Sequence, residues 1–328
     1  MKRKDTDFLH ATTRARALER QLLNKERMER MLDAKSMEEA LKLLPEMGYE
    51  EVAPPTLTQL GAVLSRARRA TYELMRGISP IPELVDVFAI KYDYHNAKAI
   101  IKAEARGVSA AHLLVDAGRI SPAKLETALR QRDLRDLPAA MRNAVEEARD
   151  VLARTEDPRF ADMILDRACF AEELALAKSV GDAYLIGFVK LRIDAANLRS
   201  VVRATRQKQS AQVLKGVLLS GGDVEVNSLL SPDGLLELYR GTTLEAAAEE
   251  GIRAMSGSVD FVLFEKLCDD AITEYLKGAK LIPFGVAPLV AYLAAKETEI
   301  TTLRIIFAGK SEDLPADEIR ERLRAAYV

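Results

Sequence analysis

The segment from Lys91 to Ala103, KYDYHNAKAIIKA, groups side chains that could act together in acid–base chemistry. Asp93, His95 and Lys98 lie close together in it, and side chains of these types can take up or release a proton. One hypothesis is a catalytic site for a small substrate. The other is a structural segment whose polar groups hold helices together. The residue types that recur elsewhere in the chain distinguish the two hypotheses.

The polar pattern of this segment recurs about 100 residues later in LRIDAANLRSVVRA (191–204). A weaker third copy lies in ETEITTLRIIFAGK (297–310), where Glu and Thr replace Asp and Asn. His95 does not recur, since Ala196 takes its place in the second copy. The repetition therefore favours a structural core over a catalytic site. The recurring positions are Asp93, Asn96 and Lys98; Asp194, Asn197 and Arg199; and Glu299, Thr302 and Arg304.

The recurring polar residues share a helix face with apolar residues. Asp93 and Asn96 are three positions apart, and Ala97 and Ile100 continue the same stripe. This pattern predicts a carboxylate and an amide that point into a helix–helix contact. A buried carboxylate needs hydrogen bonds or an opposite charge, so we expect its partner to be a backbone N–H at a helix start or an Arg of a neighbouring helix. Loss of Asp194 is then expected to cost about 3–5 kcal/mol of unfolding free energy.

The composition predicts an all-α protein. Of 328 residues, 48% are hydrophobic and 30% are charged, whereas aromatic residues make up only 5% and Trp is absent. Strand-like alternation is confined to residues 221–230, where Gly-Gly-Asp indicates a connecting turn instead. The net charge of −2 gives no general attraction to nucleic acid or to anionic lipid.

The repeats predict how the chain is divided. We expect three pseudo-symmetric helical units of about 100 residues within one integrated domain. The first unit, with an N-terminal helix, covers residues 1–115, the second covers 116–215, and the third, with a C-terminal helix, covers 216–328. Capping residues predict helix boundaries inside these units, with a helix start at Thr56 and a helix end at Gly77.

The sequence shows little sign of cofactor or metal chemistry. The three His have no ligand spacing, and no Gly-rich loop carries the Lys and Ser/Thr of a phosphate site. Cys169 and Cys268 are predicted to be small buried side chains in a reducing compartment. The longest uncharged apolar run, residues 281–295, is shorter than the roughly 20 residues that span a bilayer. We expect no catalytic, cofactor-binding or metal-binding residue.

Four segments in combination resemble one known family. They are FLHATTRARALERQLL, YDYHNAK, IDAANLRSVVRA and YLAAKETEITTLRIIFAGK, and the resemblance covers nearly the whole chain. The chain resembles the C subunit of archaeal and bacterial V/A-type ATPases, in a family that also includes the d subunit of the eukaryotic V-ATPase. Thr302 departs from the pattern, since an Asn is expected at that position.

The resemblance implies a funnel-shaped helical bundle without catalytic activity. Such a protein lies on the cytoplasmic side, peripheral to the membrane, as one adaptor per complex. It links the D and F subunits of the central shaft to the membrane proteolipid ring, and it transmits torque between ATP chemistry and H⁺ or Na⁺ translocation. No nucleic acid and no small-molecule substrate is implied. The exposed loops 47–55, 75–84 and 277–288 are candidates for surfaces that face the shaft or the ring.

Two alternatives remain open. One is a soluble helical enzyme that uses Asp93, His95 and Lys98, and the other is a helical scaffold for unrelated partners.

Overall fold

The computed structural model describes residues 4–231, 234–257 and 261–328, and the regular secondary structure of these residues is entirely helical. The prediction of an all-α protein is confirmed. Residues 1–3, where the first predicted unit begins, lie outside the described residues. The α-helices are α1 (Leu9–Glu19), α2 (Lys25–Asp33), α3 (Met37–Leu41), α4 (Leu57–Ile78), α5 (Leu84–Ala105), α6 (Pro122–Gln131), α7 (Ala139–Thr155), α8 (Pro158–Val180), α9 (Ala183–Arg206), α10 (Ala211–Val217), α11 (Leu235–Tyr239), α12 (Glu245–Met255), α13 (Phe261–Lys277), α14 (Val286–Ser311) and α15 (Ala316–Glu321).

Three pairs of consecutive long helices form hairpins: α4 with α5, α8 with α9, and α13 with α14. Their turns cover residues 79–83, 181–182 and 278–285. The second turn is the shortest. Gly181, with φ of 76°, ends α8 in the left-handed conformation, and the Asp182 side chain caps α9.

The helix boundaries predicted from capping residues are partly confirmed. The Thr56 hydroxyl accepts a hydrogen bond from the N–H of Gln59 at 3.2 Å, as expected for the residue that begins α4. Gly77 does not end α4, and that prediction was wrong. The helix continues to Ile78 and stops where Ser79 becomes extended, because a residue that precedes a proline avoids the helical conformation.

A central apolar cluster lies where the three hairpins meet. It contains the last turns of α4, α8 and α13 and the first turns of α5, α9 and α14, with residues of α1 added. Phe88 and Phe188, from the first and second hairpins, stack with ring centroids 5.6 Å apart. Residues next to all three turns, such as Ile81, Val180 and Ile282, pack against this cluster. The three turns therefore lie at the same end of the molecule, which we call the turn end.

Three outer apolar clusters surround the central one, and each is built in the same way. The second helix of one hairpin packs with the first helix of the next hairpin and with short helices. The first outer cluster contains α5 to α8, and the second contains α9 to α13. The third joins α14 to α4, and its short helices are α2 and α3 from the N-terminal segment together with α15. The N-terminal segment thus occupies beside α14 the place that α6 and α7 occupy beside α5.

The division into units 1–115, 116–215 and 216–328 stays a prediction. Side chains pack across these boundaries. The cluster around α5 includes α6, α7 and α8 of the second predicted unit, and the cluster around α9 includes helices of the third. The N-terminal helices α2 and α3 pack on α14, which belongs to the last predicted unit.

Candidate functional site: buried polar contacts and a central cavity

Asp93 is fully buried on α5, where its carboxylate holds the loop that leads into α6. Arg119 Nε donates to Asp93 Oδ2 at 2.8 Å, and the N–H of Ile120 donates to Oδ1 at 3.0 Å. Ile120 immediately precedes Ser121, which caps α6. The structure thus supplies both kinds of partner that Asp93 needs. Its Arg comes from the connecting loop rather than from a neighbouring helix.

Asn96 lies one turn further along α5 and holds the same loop. Its Nδ2 donates to the carbonyl oxygen of Val115 at 2.9 Å, and its Oδ1 accepts the N–H of Val115 at 2.8 Å. One amide side chain therefore satisfies both backbone groups of one loop residue. Unpaired backbone groups are costly in a buried contact, so an amide suits this position better than a hydroxyl or an aliphatic side chain.

The second hairpin repeats this arrangement on α9. Asp194 accepts the N–H of Asp223 at 2.9 Å and that of Val224 at 3.2 Å. Asn197 accepts the N–H of Leu219 and donates to its carbonyl oxygen, both at 2.8 Å. No Arg contacts Asp194 among the described ion pairs, and burial raises the pKa of its carboxyl.

The two loops share a sequence pattern that lies outside the repeated segments. VDAGRI (115–120) and LSGGDV (219–224) each begin with the residue held by Asn and have Gly three positions later. A Cβ on Gly118 would overlap Oδ1 of Asp93, and a Cβ on Gly222 would overlap Oδ1 of Asp194. Glycine is required at both positions because the loop backbone passes directly over the carboxylate.

The third core holds the N-terminal segment instead of a following loop. Glu299 on α14 accepts the N–H of Leu23 at 2.5 Å, the Tyr49 hydroxyl and Nζ of Lys296 at 2.6 Å. Leu23 immediately precedes Asn24, which caps α2, just as the residue bound by Asp93 precedes the cap of α6. The acidic position thus fixes the start of a short helix in both places.

Thr302, the third copy's substitute for Asn, is buried at 3% exposure beside this contact. Thr lacks the amide that holds a loop residue in the other two copies.

The basic residues of the repeat point to neighbouring hairpins. Lys98 forms an ion pair with Asp166 on α8. Arg199 pairs with Glu265 at 2.7 Å and with Asp269 at 2.5 Å, both on α13. Arg304 differs, because it is exposed and forms no ion pair with the described parts of the chain. Partial desolvation of the guanidinium by the surrounding side chains and the neighbouring charge of Arg68 lower its pKa.

The residues of the acid–base hypothesis are not brought together. The carboxylate of Asp93 is buried against the loop that precedes α6, whereas Lys98 reaches α8. His95 is exposed, with Nε2 3.1 Å from the carbonyl oxygen of Leu113. Residues two apart on a helix point to nearly opposite sides. The hypothesis of an enzyme that uses these three residues was therefore wrong.

A cavity of about 230 Å³ lies between the hairpins, beyond the central cluster as seen from the turn end. Lys91, Arg192 and Glu297 line it from the same position of the three repeated segments. Lys91 pairs with Glu297 at 2.8 Å, and Arg192 pairs with the buried Glu173. The remaining lining residues are Phe88, Phe188, Asp269, Ile272, Leu276, Ala294, Thr298, Thr301 and Arg324.

Glu297 joins the last hairpin to the first. Its carboxylate accepts hydrogen bonds from Arg68 Nε at 3.0 Å, the Tyr72 hydroxyl at 2.8 Å, Lys91 Nζ at 2.8 Å and the Tyr92 hydroxyl. Burial by itself would raise the pKa of this carboxyl, but the two cations outweigh burial and lower its pKa to about 2. Glu297 is therefore ionised at neutral pH. Sequence reasoning missed it, since Lys and Arg occupy the corresponding positions of the other copies.

Metal sites and membrane-spanning helices are both absent from the described residues. No group of three or more His, Cys, Asp or Glu side chains is arranged to hold a metal ion there. No helix in residues 4–231, 234–257 or 261–328 combines the length and the apolar character needed to cross a membrane.

The buried polar contacts of this fold join helices and loops that are far apart in the sequence. Comparison with known proteins identifies the class of protein, because the sequence pattern of the family described as ATP synthase (C/AC39) subunit matches residues 11–322. The chain belongs to that family. The predictions of the family and of a non-catalytic part of a rotary ATPase are confirmed.

Relatives match over almost their whole length. The C subunit of the V-type sodium ATPase of Enterococcus hirae is 27% identical over 323 residues, covering 97% of this chain and 98% of that protein. The C subunit of the A-type ATP synthase of Methanocaldococcus jannaschii is 26% identical, covering 96% and 86%. That of Thermococcus onnurineus is 24% identical, covering 97% and 90%.

Proposed function

We propose that this chain is the rotor adaptor of a V/A-type ATPase. It joins the central D–F shaft to the membrane proteolipid ring on the cytoplasmic side, and it passes torque between them. The observation that carries the proposal is the family match over residues 11–322, which includes all three hairpins. The polar contacts suit this role, because a torque-bearing part must keep its helices in register while it is loaded.

The proposal also assigns a partner to each end of the molecule. The cavity lies on one side of the central cluster, and the turns lie on the other. We assign the cavity side to the shaft and the turn end to the membrane sector. A cavity of about 230 Å³ admits a few side chains rather than a helix, which is about 10 Å wide. The shaft would therefore dock over the opening and insert only side chains.

A binding experiment with the purified shaft tests this assignment. The chain is expected to retain a D–F complex on an affinity column. Thr301→Arg is expected to weaken this binding at least about tenfold, because it places a long charged side chain in the cavity. Ser311→Arg is the matched control, since Ser311 lies on the same helix but is not a lining residue.

His95→Ala should bind the shaft like the unmodified chain, because no function is assigned to this exposed imidazole. Failure of the unmodified chain to bind the shaft would favour a helical scaffold for other partners. Equal loss of binding in the variants at 301 and 311 would contradict the placement of the shaft at the cavity.

A further inference from the structure

The turn of the third hairpin exposes large apolar side chains at the turn end. Leu281 is 88% exposed and Phe284 is 41% exposed, and Pro283 between them is also exposed. Leu281 has the highest exposure of the large apolar side chains in the described residues. We call Leu281–Phe284 the apolar tip. Burial of such side chains is favourable, so their exposure here needs an explanation.

The backbone of the tip is held firmly even though its side chains are exposed. Arg16 on α1 donates to the carbonyl oxygens of Ala279 at 2.5 Å and Ile282 at 3.2 Å. The N–H of Ile282 also donates to the carbonyl oxygen of Ala279 at 3.0 Å. The Ile282 side chain packs against the central cluster. The outward direction of Leu281 and Phe284 is therefore fixed, as expected for a surface prepared for contact.

A lysine lies beside the apolar side chains of the tip. Residues 278–285 contain one basic side chain, Lys280, and no acidic one, whereas Lys277 before them pairs with Glu274 at 3.2 Å. Lys280 is exposed, and its Nζ lies 4.9 Å from the ring centroid of Tyr327. Apolar side chains with lysines beside them are typical of segments that lie at the boundary between lipid headgroups and acyl chains.

We propose that the apolar tip inserts into the surface of an anionic lipid bilayer. Leu281 and Phe284 enter the boundary below the headgroups, while Lys280 contacts lipid phosphates. The two side chains of the tip offer only a small part of the roughly 800 Å² per partner that a stable protein interface buries, so the tip would add a lipid contact beside the contact of the turn end with the ring. Such a contact would be weak on its own. It would act in a protein that the rest of its complex holds at the membrane, so its biological setting rests on the proposed function.

The absence of Trp from the chain allows a direct test. Phe284→Trp places a single fluorescent reporter at the tip. Phe160→Trp is the matched control, since Phe160 is 39% exposed but lies in the first turn of α8, at the opposite end of that helix from its turn. Both full-length variants are titrated with vesicles of phosphatidylcholine alone and of phosphatidylcholine with phosphatidylglycerol. Lipids brominated on their acyl chains serve as quenchers.

We expect the reporter at 284 to shift to shorter wavelength and to be quenched with anionic vesicles, while the reporter at 160 is unchanged. Adding Leu281→Ser to the Phe284→Trp variant should weaken vesicle binding about tenfold, because it removes one of the two inserted side chains. Replacing Lys280 with Ser should reduce the preference for anionic over neutral vesicles.

Four results would overturn the proposal. They are no change at 284 with anionic vesicles, an equal change at both reporters, a change that requires the purified proteolipid ring, and a change that grows with protein concentration in the absence of lipid. The third would indicate a protein partner, and the fourth would indicate a second copy of the chain. The shaft-binding experiment uses no lipid. If the chain does not retain the shaft, the rotor adaptor is contradicted and the vesicle result is unaffected. If the tip does not bind vesicles, the lipid contact is contradicted and the shaft result is unaffected.

Discussion

At the scale of single residues, each buried acid in the repeated segments has its own set of partners. Asp93 combines a guanidinium with a backbone N–H, whereas Asp194 accepts two backbone N–H groups without a cation. The cost of losing the carboxylate therefore differs between them. Removal of Asp93 takes away one of the two carboxylates that pair with the mostly buried Arg119, which keeps Glu172 at 2.9 Å, whereas removal of Asp194 leaves only neutral donors.

Asp194→Ala is expected to lower the free energy of unfolding by roughly 3 kcal/mol, because two partly buried N–H groups lose their acceptor. This value is the lower end of the range that the sequence predicted, since no buried cation is left behind. Chemical denaturation of the full chain measures it. Asp136→Ala is the control, because its side chain is 78% exposed. Equal stability of the two variants would show that the Asp194 contact does not hold the loop.

At the scale of elements, the loops VDAGRI and LSGGDV act as fixed connections between a long helix and the short helices after it. Each is held at its first residue by an Asn and near its end by an Asp. Close approach of the loop backbone to the carboxylate explains the glycine in each loop. The loop and the carboxylate form one unit, so the stability costs of substitutions in the two should not be additive.

Gly222→Ala is expected to destabilise the fold by about 2 kcal/mol, because the new methyl group displaces the Asp194 carboxylate from its two donors. In the double variant with Asp194→Ala, the added cost of Gly222→Ala should largely disappear. Denaturation of the four proteins of this cycle gives the coupling. Gly61→Ala, with open space around it on α4, should be neutral or slightly stabilising. Fully additive costs in the double variant would contradict the close contact.

At the scale of the whole molecule, the last hairpin is joined to the first without a loop that runs directly between them. Glu297 binds α4 and α5, and Glu299 binds the residues that flank α2 and α3. The first and second hairpins are linked by α6 and α7, and the second and third by α10 to α12. The contacts of Glu297 and Glu299 therefore close the arrangement of three hairpins around the cavity.

The contribution of the Glu297 contacts to the free energy of unfolding should depend on pH. The carboxyl has a pKa of about 2 in the folded protein, against about 4.3 in an unfolded chain. A lowered pKa stabilises the fold above about pH 4.3, and this contribution is lost as the pH falls towards 2. Glu297→Gln is expected to cost roughly 3 kcal/mol at pH 7 and about half of that at pH 3.

Denaturation of the unmodified chain and of this variant at both pH values measures the difference. Glu50→Gln is the control, since Glu50 is 64% exposed in its ion pair with Arg66, and its effect should vary little with pH. A gap between the Glu297 variant and the unmodified chain that is the same at pH 3 and pH 7 would contradict the ionised contact.

The helical class and the acids and amides that become buried could be predicted from the sequence, because they follow from local composition, from periodicity and from repetition along the chain. The family was recognised from the resemblance of four segments. His95 was excluded from the structural core because it does not recur in the second copy, and its exposure on α5 agrees with this exclusion. The capping role of Thr56 could also be predicted from the sequence, because its contact is with a residue only three positions away.

The partners of these residues became known only from the folded structure. Asp93 and Ile120 are 27 residues apart in the sequence, and Glu297 and Tyr72 are 225 apart. No local sequence pattern therefore predicts either contact. Glu297 also breaks the repeat, because it carries the opposite charge to Lys91 and Arg192 at the same position. Its role depends on which helices face the cavity. That arrangement comes from packing three hairpins around one apolar cluster, which brings together charges that are hundreds of residues apart.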